Sequence, residues 1–147
     1  MNKISITDYD QQLFPEIERL WALTGMGGAE RGDDNDTILR SLETGGRLLL
    51  MTDNATGDLV GTSWMTFDGR RIHLHHFAIH PYYQGRGLAK VLLNASLGHI
   101  KEKGYQVKLE VHSSNLKAIK LYTKAGFKYL GDYDVYIIRN PDTIDPG

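Results

Sequence analysis

Apolar residues recur with the 3.6-residue period of an amphipathic helix in four stretches of the chain. The stretches are Gln11–Thr24, the segment around Ile38, Leu39 and Leu42, Leu88–Lys103, and Asn115–Ala125. Gly45, Gly104 and Gly126 follow the last three, at the position where a helix commonly ends. The pattern therefore predicts four helices.

Shorter apolar runs typical of strands lie between and after these helices, and the run from Tyr105 to Val111 also shows the two-residue alternation of a half-buried strand. The predicted strands are Lys3–Ile6, Arg47–Thr52, Leu59–Phe67, Ile72–Ile79, Tyr105–Val111, Phe127–Leu130 and Tyr133–Arg139. Asp68-Gly69 is a hairpin signal, so three antiparallel strands precede the third helix. The last two strands are expected to pair as a hairpin, and residues 140–147 are expected to form a frayed tail.

Composition narrows the class of protein. The chain has 147 residues, of which 41% are hydrophobic, which suits a single domain, 1–147, with one core. Its 17 basic and 18 acidic residues nearly cancel, so neither a nucleic acid nor an anionic membrane is an expected partner. It has no cysteine, no apolar run of membrane-spanning length and no signal-peptide pattern, so we predict a cytoplasmic location.

One stretch, from His80 to Ala89, joins the strand that ends at Ile79 to the third helix. Gly85 and Gly87 leave the first amides of that helix uncovered, and Arg86 adds a positive charge. Bare amides at a helix start favour a phosphate or pyrophosphate, although the same glycines also suit a plain tight turn.

Two familiar phosphate motifs do not fit this stretch. A P-loop needs Lys-Ser or Lys-Thr after its last glycine, where this chain has Leu88-Ala89. A dinucleotide-binding fingerprint needs a third glycine, and Lys90 occupies that position.

A second group of polar residues lies on the fourth predicted helix. Asn115 and Tyr122 are seven residues apart, so both project from one face, roughly 10 Å apart along the axis. Without further information, an N-cap and a core tyrosine are the preferred account of these two residues.

Together the two stretches resemble the N-acetyltransferases of the GNAT superfamily. Gln84, Gly87 and Ala89 match that family's acyl-CoA-binding signature, Gln/Arg-x-x-Gly-x-Gly/Ala. Residues 109–127 match its C-terminal motif of strand, Asn, Ala, Leu-Tyr and Gly-Phe. The resemblance spans about Arg47 to Arg139, and it leaves residues 1–46 as the variable, acceptor-side part.

The resemblance implies a fold and a ligand. The fold is α/β of the α+β type, a mixed, twisted sheet of six to seven strands that splays at its centre, with about four helices. Acetyl-CoA would bind in the wedge and would donate its acetyl group to an amine in a ternary complex. Its pyrophosphate would meet the amides of Gln84, Gly85, Arg86, Gly87, Leu88 and Ala89.

The resemblance also assigns residues along the rest of the acetyl-CoA molecule. Its pantetheine would follow the strand edge at Phe77, Ala78 and Ile79, with Asn115 contacting it from the other side. Tyr122 matches the family's usual proton donor to the departing thiolate.

Two residues compete for the role of base. Glu110 lies twelve residues before Tyr122, an interval that resembles the ribosomal-protein N-terminal acetyltransferases of the family. His73 lies eleven residues before Gln84, as in its histone acetyltransferases. Imidazole titrates nearer neutrality than a carboxylate, yet the sequence context favours Glu110. An exposed surface carboxylate is an equally good account of Glu110.

Several alternatives stay open at this point. His73, His75, His76 and His80 could bind a metal, although no carboxylate follows at an established ligand spacing, and no metal is expected. A non-catalytic acyl-CoA-binding module is a second alternative. For the acceptor we favour a small-molecule amine over a protein N-terminus or lysine, and we expect a monomer or a homodimer.

Overall fold

Five strands form one sheet in the order of the chain. They are seen in a computed structural model, which describes residues 3–147. The strands are β1 (Ile4–Asp8), β2 (Arg47–Asp53), β3 (Leu59–Phe67), β4 (Arg71–Ile79) and β5 (Gln106–Leu109). Neighbours from β1 to β4 are antiparallel, whereas β4 and β5 are parallel. The sheet is therefore mixed, as predicted.

Four α-helices occupy the predicted stretches. They are α1 (Phe14–Leu23), α2 (Asn35–Glu43), α3 (Leu88–Lys103) and α4 (Leu116–Lys124). Asp34 begins α2 by accepting a hydrogen bond from the Thr37 N–H at 2.9 Å, and Gly104 ends α3 in a left-handed conformation. No helix in the described range, 3–147, combines the length and apolarity that a membrane span requires.

The described chain divides into two units. One ends at Glu110 and holds the whole sheet with α1, α2 and α3, and the other begins at Val111 and holds α4. The expectation of a single domain, 1–147, stays a prediction.

The main core of the first unit lies between the sheet and the pair α1 and α2. Two aromatic rings, Trp21 and Trp64, are almost parallel there, with centroids 5.7 Å apart. The buried members of this cluster are Ile17, Leu20, Trp21, Ile38, Leu48, Leu50, Trp64 and Ala78. Burial of this much apolar surface is the main favourable contribution to folding.

Helix α3 packs on β3 and β4, and it approaches β3 closely at Gly61. A Cβ atom on Gly61 would lie 3.0 Å from the Ile79 side chain and 3.3 Å from Leu92, so only glycine fits this position without a shift. Ser63 and Ser96, both fully buried, join β3 to α3 through a hydrogen bond of 2.6 Å. This contact fixes the axis of α3 against β3.

The predicted final hairpin is wrong in the structure. No residue from 111 to 147 belongs to a strand, so the sheet has five strands instead of six to seven. Tyr133, Val135 and Ile137, which should have had a buried face, are 81%, 71% and 67% exposed. These residues carry the local pattern of a strand, but a strand also needs a pairing partner, and an isolated two-stranded hairpin is marginally stable in water.

Two further boundaries differ from the prediction. β5 ends at Leu109, although the alternation continues to Val111, because its pairing with β4 stops at Leu74. The predicted tail contains one turn of 3-10 helix, Pro141–Thr143, which the Asn140 side chain caps.

Candidate active site

The loop between β4 and α3 presents a helix start with uncovered amides. Gly85 and Gly87 have φ angles of 78° and 77°, the left-handed region that favours glycine, and α3 begins at Leu88. A Cβ atom at either glycine would have no neighbour within 4 Å, so the space before the loop is open. The first N–H groups of α3 therefore face a region that an anion can enter.

Side chains on both sides fix this loop to the sheet. The buried Tyr83 donates its hydroxyl proton to Asp53 at the end of β2, over 2.7 Å. This bond, with a second from the Ala55 N–H, holds the pKa of Asp53 below its usual value. The side-chain amide of Gln84 donates an N–H to the Ile79 carbonyl at 2.9 Å. The predicted cofactor residue Gln84 thus also closes the turn.

Arg86 lies on aromatic faces. Its guanidinium carbon is 5.1 Å from the centroid of Tyr82 and 5.0 Å from that of Tyr83. Its Nη2 donates to the Tyr82 carbonyl at 3.2 Å. These contacts hold a positive charge beside the start of α3.

Strand β4 extends beyond its pairing with β5. The parallel ladder joins Arg71–Leu74 to Gln106–Leu109, and β4 then continues to Ile79 along β3 alone. The predicted pantetheine residues Phe77, Ala78 and Ile79 all lie in this continuation, directly before the glycine loop. The predicted pantetheine segment and the predicted pyrophosphate loop therefore follow each other directly, in space as in sequence.

The two candidate bases lie near each other. His73 Nε2 is 3.7 Å from Glu110 Oε1, across the end of the β4–β5 ladder. Both side chains are about half exposed, 42% and 52%. From the sequence they were alternative candidates for one base. In the structure they form a solvent-exposed imidazole–carboxylate pair.

His75 lies deeper on the same strand. Its Nε2 is 3.2 Å from the Thr66 hydroxyl, its Nδ1 is 2.9 Å from His76 Nδ1, and its ring packs on Trp64. Burial, followed by the nearby imidazoles of His76 and His73, lowers the pKa of His75 to about 3. His75 therefore stays neutral at any ordinary pH.

His76 carries contacts that sequence reasoning missed. Its φ is 45°, and its Nε2 lies 3.1 Å from Asp33 Oδ2 and 3.2 Å from the Gly27 carbonyl, in the loop after α1. One signal was available, because polar residues alternate with apolar ones up to His75 and the alternation breaks at His76. A break of period within a strand is typical of a β-bulge.

The histidines do not form a metal site in the part of the chain that is described. No group of three or more His, Cys, Asp or Glu side chains between residues 3 and 147 is arranged to hold a metal ion. The rings of His73 and His75, which share a strand face, have centroids 6.0 Å apart. His80 instead accepts the Tyr82 N–H in the turn that follows β4.

The second unit holds the other two predicted site residues. Asn115 Oδ1 accepts the Ala118 N–H at 3.2 Å and so begins α4 as an N-cap. Tyr122 lies on α4 with its ring 5.7 Å from that of Phe127, and burial raises its pKa to about 12. Their roles toward acetyl-CoA stay predictions.

Comparison with known families agrees with this arrangement. Residues 13–127 match the family model described as Acetyltransferase (GNAT) family. The chain belongs to the GNAT acetyltransferase family. A GNAT structure with the same fold is the ribosomal-protein-S18-alanine N-acetyltransferase from Escherichia coli, with a TM-score of 0.72. It is 22% identical and covers 85% of this chain and 77% of that chain, so the likeness shows the fold alone.

Two curated GNAT relatives are more similar in sequence. Mycothiol acetyltransferase of Clavibacter sepedonicus is 34% identical over 103 residues, which are 69% of this chain and 34% of that protein. Spermine/spermidine N(1)-acetyltransferase of Bacillus subtilis (strain 168) is 38% identical over 66 residues, 44% of this chain and 43% of that protein. The chain thus spans less than half the length of either relative.

We predict that His75 makes the protein less stable in acid. The unfolded state binds a proton at this histidine below about pH 6.5, whereas the folded state does not until about pH 3. The stability is therefore present above pH 6.5 and is lost as the pH falls. Between pH 6 and 4, the free energy of unfolding should fall about 1.4 kcal/mol per pH unit more steeply in the wild type than in His75→Gln.

Urea unfolding at a series of pH values measures both slopes. The exposed His112 gives the control, because His112→Gln should keep the wild-type slope. Equal slopes in the wild type and His75→Gln would contradict the prediction.

Proposed function

We propose that the protein is an acetyl-CoA-dependent N-acetyltransferase whose acceptor is a small-molecule amine. The observation that carries the proposal is the continuation of β4 to Ile79 past the end of its ladder with β5, followed directly by the glycine loop and the start of α3. A strand edge suits the amides of a pantetheine arm, and the helix start suits a pyrophosphate. Membership of the GNAT family supports the same ligand.

Acetyl-CoA would bind with its pyrophosphate at the amides of residues 84–89 and with Arg86 as a neighbouring cation. Gly85 and Gly87 would allow the phosphate oxygens to approach the main chain closely. The pantetheine would extend from there along Ile79, Ala78 and Phe77, so the thioester would arrive near His76. Asn115 would contact the pantetheine, as the family resemblance implies.

The acceptor must lose a proton before it can attack. An alkyl amine with a pKa near 10.4 is neutral in about one molecule of 2,500 at pH 7, a shortfall of about 4.6 kcal/mol. The pair of His73 and Glu110 can help to supply the neutral amine. His73 takes the proton, directly or through one water, and Glu110 stabilises the imidazolium that forms. The 3.7 Å approach of the two groups supports this shared role over the earlier preference for Glu110 alone.

The departing thiolate would be met by Tyr122. A hydroxyl with a pKa of about 12 keeps its proton throughout the working pH range and can donate a hydrogen bond. Full transfer of that proton to a thiolate of pKa near 8.5 is uphill by about 4.8 kcal/mol. We therefore assign to Tyr122 a hydrogen bond that stabilises the thiolate as the bond to carbon breaks, with the final proton arriving from solvent.

The acceptor class rests on two kinds of support. A carboxylate beside the proposed base attracts an ammonium group, which suits an amine. The relative from Bacillus subtilis is named for spermine and spermidine, and the relative from Clavibacter for mycothiol, both small molecules. Acetylation of a protein N-terminus or lysine remains the second candidate, because the E. coli structure shares the fold.

A panel of amines tests the function directly. When the protein is incubated with acetyl-CoA, free CoA thiol should appear if a polyamine, an amino sugar or an aralkylamine is added. It should not appear if a short peptide with a free N-terminus is added. Mass spectrometry of the products should show one added acetyl group. Turnover confined to the peptides would contradict the acceptor assignment, and turnover with none of the amines or peptides would contradict the enzyme assignment.

For the cofactor site we predict that a negative charge at residue 87 opposes acetyl-CoA. Gly87→Asp and Gly87→Asn introduce side chains of one shape, both tolerated in the left-handed conformation, and differ in charge. The aspartate should weaken binding at least tenfold more than the asparagine, because it faces the pyrophosphate. Calorimetry with acetyl-CoA measures both, and equal affinities in two folded variants would place the pyrophosphate elsewhere.

For the base we predict that His73→Gln removes the acidic limb of the pH profile of kcat/KM and slows turnover about 100-fold. Glu110→Gln should keep the limb and slow turnover less than His73→Gln, because the imidazole that accepts the proton is still present. The double variant should be little slower than His73→Gln, since the two groups act together. If every variant keeps the wild-type limb, it reports the ionisation of the amine itself.

A further inference from the structure

Strand β4 contains a β-bulge at His76. Its register against β3 shifts between Thr62 and Trp64, so that two residues, His76 and Phe77, lie opposite the single residue Ser63. The bulge puts His76 in the left-handed region, at φ 45°, where histidine is found far less often than glycine. Such a conformation persists when the surrounding contacts hold it in place.

Helix α1 fixes the main chain of the bulge. The Trp21 indole N–H donates to the Thr62 hydroxyl at 2.9 Å, and that hydroxyl donates to the His76 carbonyl at 2.8 Å. Trp21 and Thr62 have no exposed surface. Because the Trp21–Thr62 bond is buried, losing it would leave a polar group unsatisfied.

The side chain of His76 reaches the loop that joins α1 to α2, residues 24–34. Its Nε2–H is shared between the Gly27 carbonyl at 3.2 Å, near the start of the loop, and Asp33 Oδ2 at 3.1 Å, near the end. The ring itself packs on Trp21 and Trp64, with centroids 4.4 and 5.2 Å away. One imidazole therefore ties both ends of the loop to the bulge.

This loop lies on the face of the sheet that carries the proposed base. His73 and His75 point to one face of β4, the ring of His75 is 6.0 Å from that of His73, and the ring of His76 is 5.1 Å from that of His75. The rings of His75 and His76 connect His73 to the loop on this face. The loop adjoins the bulge of β4, and the strand continues from there into the edge proposed for the pantetheine.

We propose that His76 is a positioning residue that sets the affinity for the acceptor: through Asp33 and Gly27 it holds the loop 24–34 at a fixed distance from the reacting thioester. The inference rests on the proposed acetyl transfer. Since the glycine loop and the edge of β4 need no contact with Asp33, the binding of acetyl-CoA does not depend on this link. Holding reactants at a fixed geometry is the physical basis of the effect.

Four variants test the link. Asp33→Ala removes the bond to His76, and Asp33→Asn keeps an oxygen acceptor in the same place without the charge. Asp36→Ala is the matched charge control, because Asp36 is exposed in the first turn of α2 and is not part of the link. His76→Asn removes the imidazole with a residue that also tolerates the left-handed conformation.

Asp33→Ala should raise the KM for the amine about tenfold and leave kcat and the KM for acetyl-CoA within twofold of wild type. Asp33→Asn should restore most of the amine KM, and Asp36→Ala should match the wild type. His76→Asn should raise the amine KM by a similar factor, and adding Asp33→Ala to it should raise that KM no further. An equal rise in both KM values, or no rise in either, would overturn the proposal.

A second readout needs no turnover. The chain has two tryptophans, Trp21 and Trp64, and both pack on His76. Release of the loop in Asp33→Ala should make their fluorescence more accessible to acrylamide, and Asp36→Ala should not. Unchanged quenching would show that Asp33 does not hold the loop. If the wild type acetylates no amine, the proposed function fails, and the quenching alone decides whether the link holds the loop.

Discussion

The fold of the first unit depends on how β4 pairs with its neighbouring strands, because this pairing changes along its length. Up to Leu74 the strand is paired on both sides, with β3 and with β5, and beyond it the strand follows β3 alone. The parallel ladder therefore ends inside the sheet, while β4 itself continues to Ile79. The proposed function places the pantetheine along this last part of the strand.

The bulge at His76 lies at the same change of neighbours. A bulge bends and twists its strand, so it can turn the last part of β4 away from β5 while keeping it on β3. The hydrogen bonds from Trp21 through Thr62 to the His76 carbonyl fix where the bend occurs. The hydrophobic core and the candidate site are thus connected through one residue, and substitutions at Thr62 affect both.

Most of the first unit could be predicted from the sequence because its signals are local. The periodicity of Leu88–Lys103 with Gly104 after it defines α3, and the run Leu59–Phe67 between the turn at Gly57 and the hairpin signal Asp68-Gly69 defines β3 at both ends. The turn at Gly85 and Gly87 could be predicted for the same reason, because glycine is the residue that most readily adopts a left-handed φ. The final hairpin failed because Tyr133, Val135 and Ile137 carry the local pattern of a strand, and pairing depends on a partner that no local pattern specifies. The contact between His73 and Glu110 was equally out of reach, because it depends on the register of β4 against β5.

Arg86 shows what its aromatic neighbours do for a cation. An arginine held by a carboxylate has its charge largely cancelled, and an arriving phosphate must first displace the acid. The guanidinium of Arg86 is instead held by the faces of Tyr82 and Tyr83 and by a main-chain carbonyl, which restrict its rotamers without cancelling its charge. Much of the entropy that a long, flexible side chain loses on binding an anion is therefore lost during folding. An anion that reaches the start of α3 meets a full positive charge that is already in position.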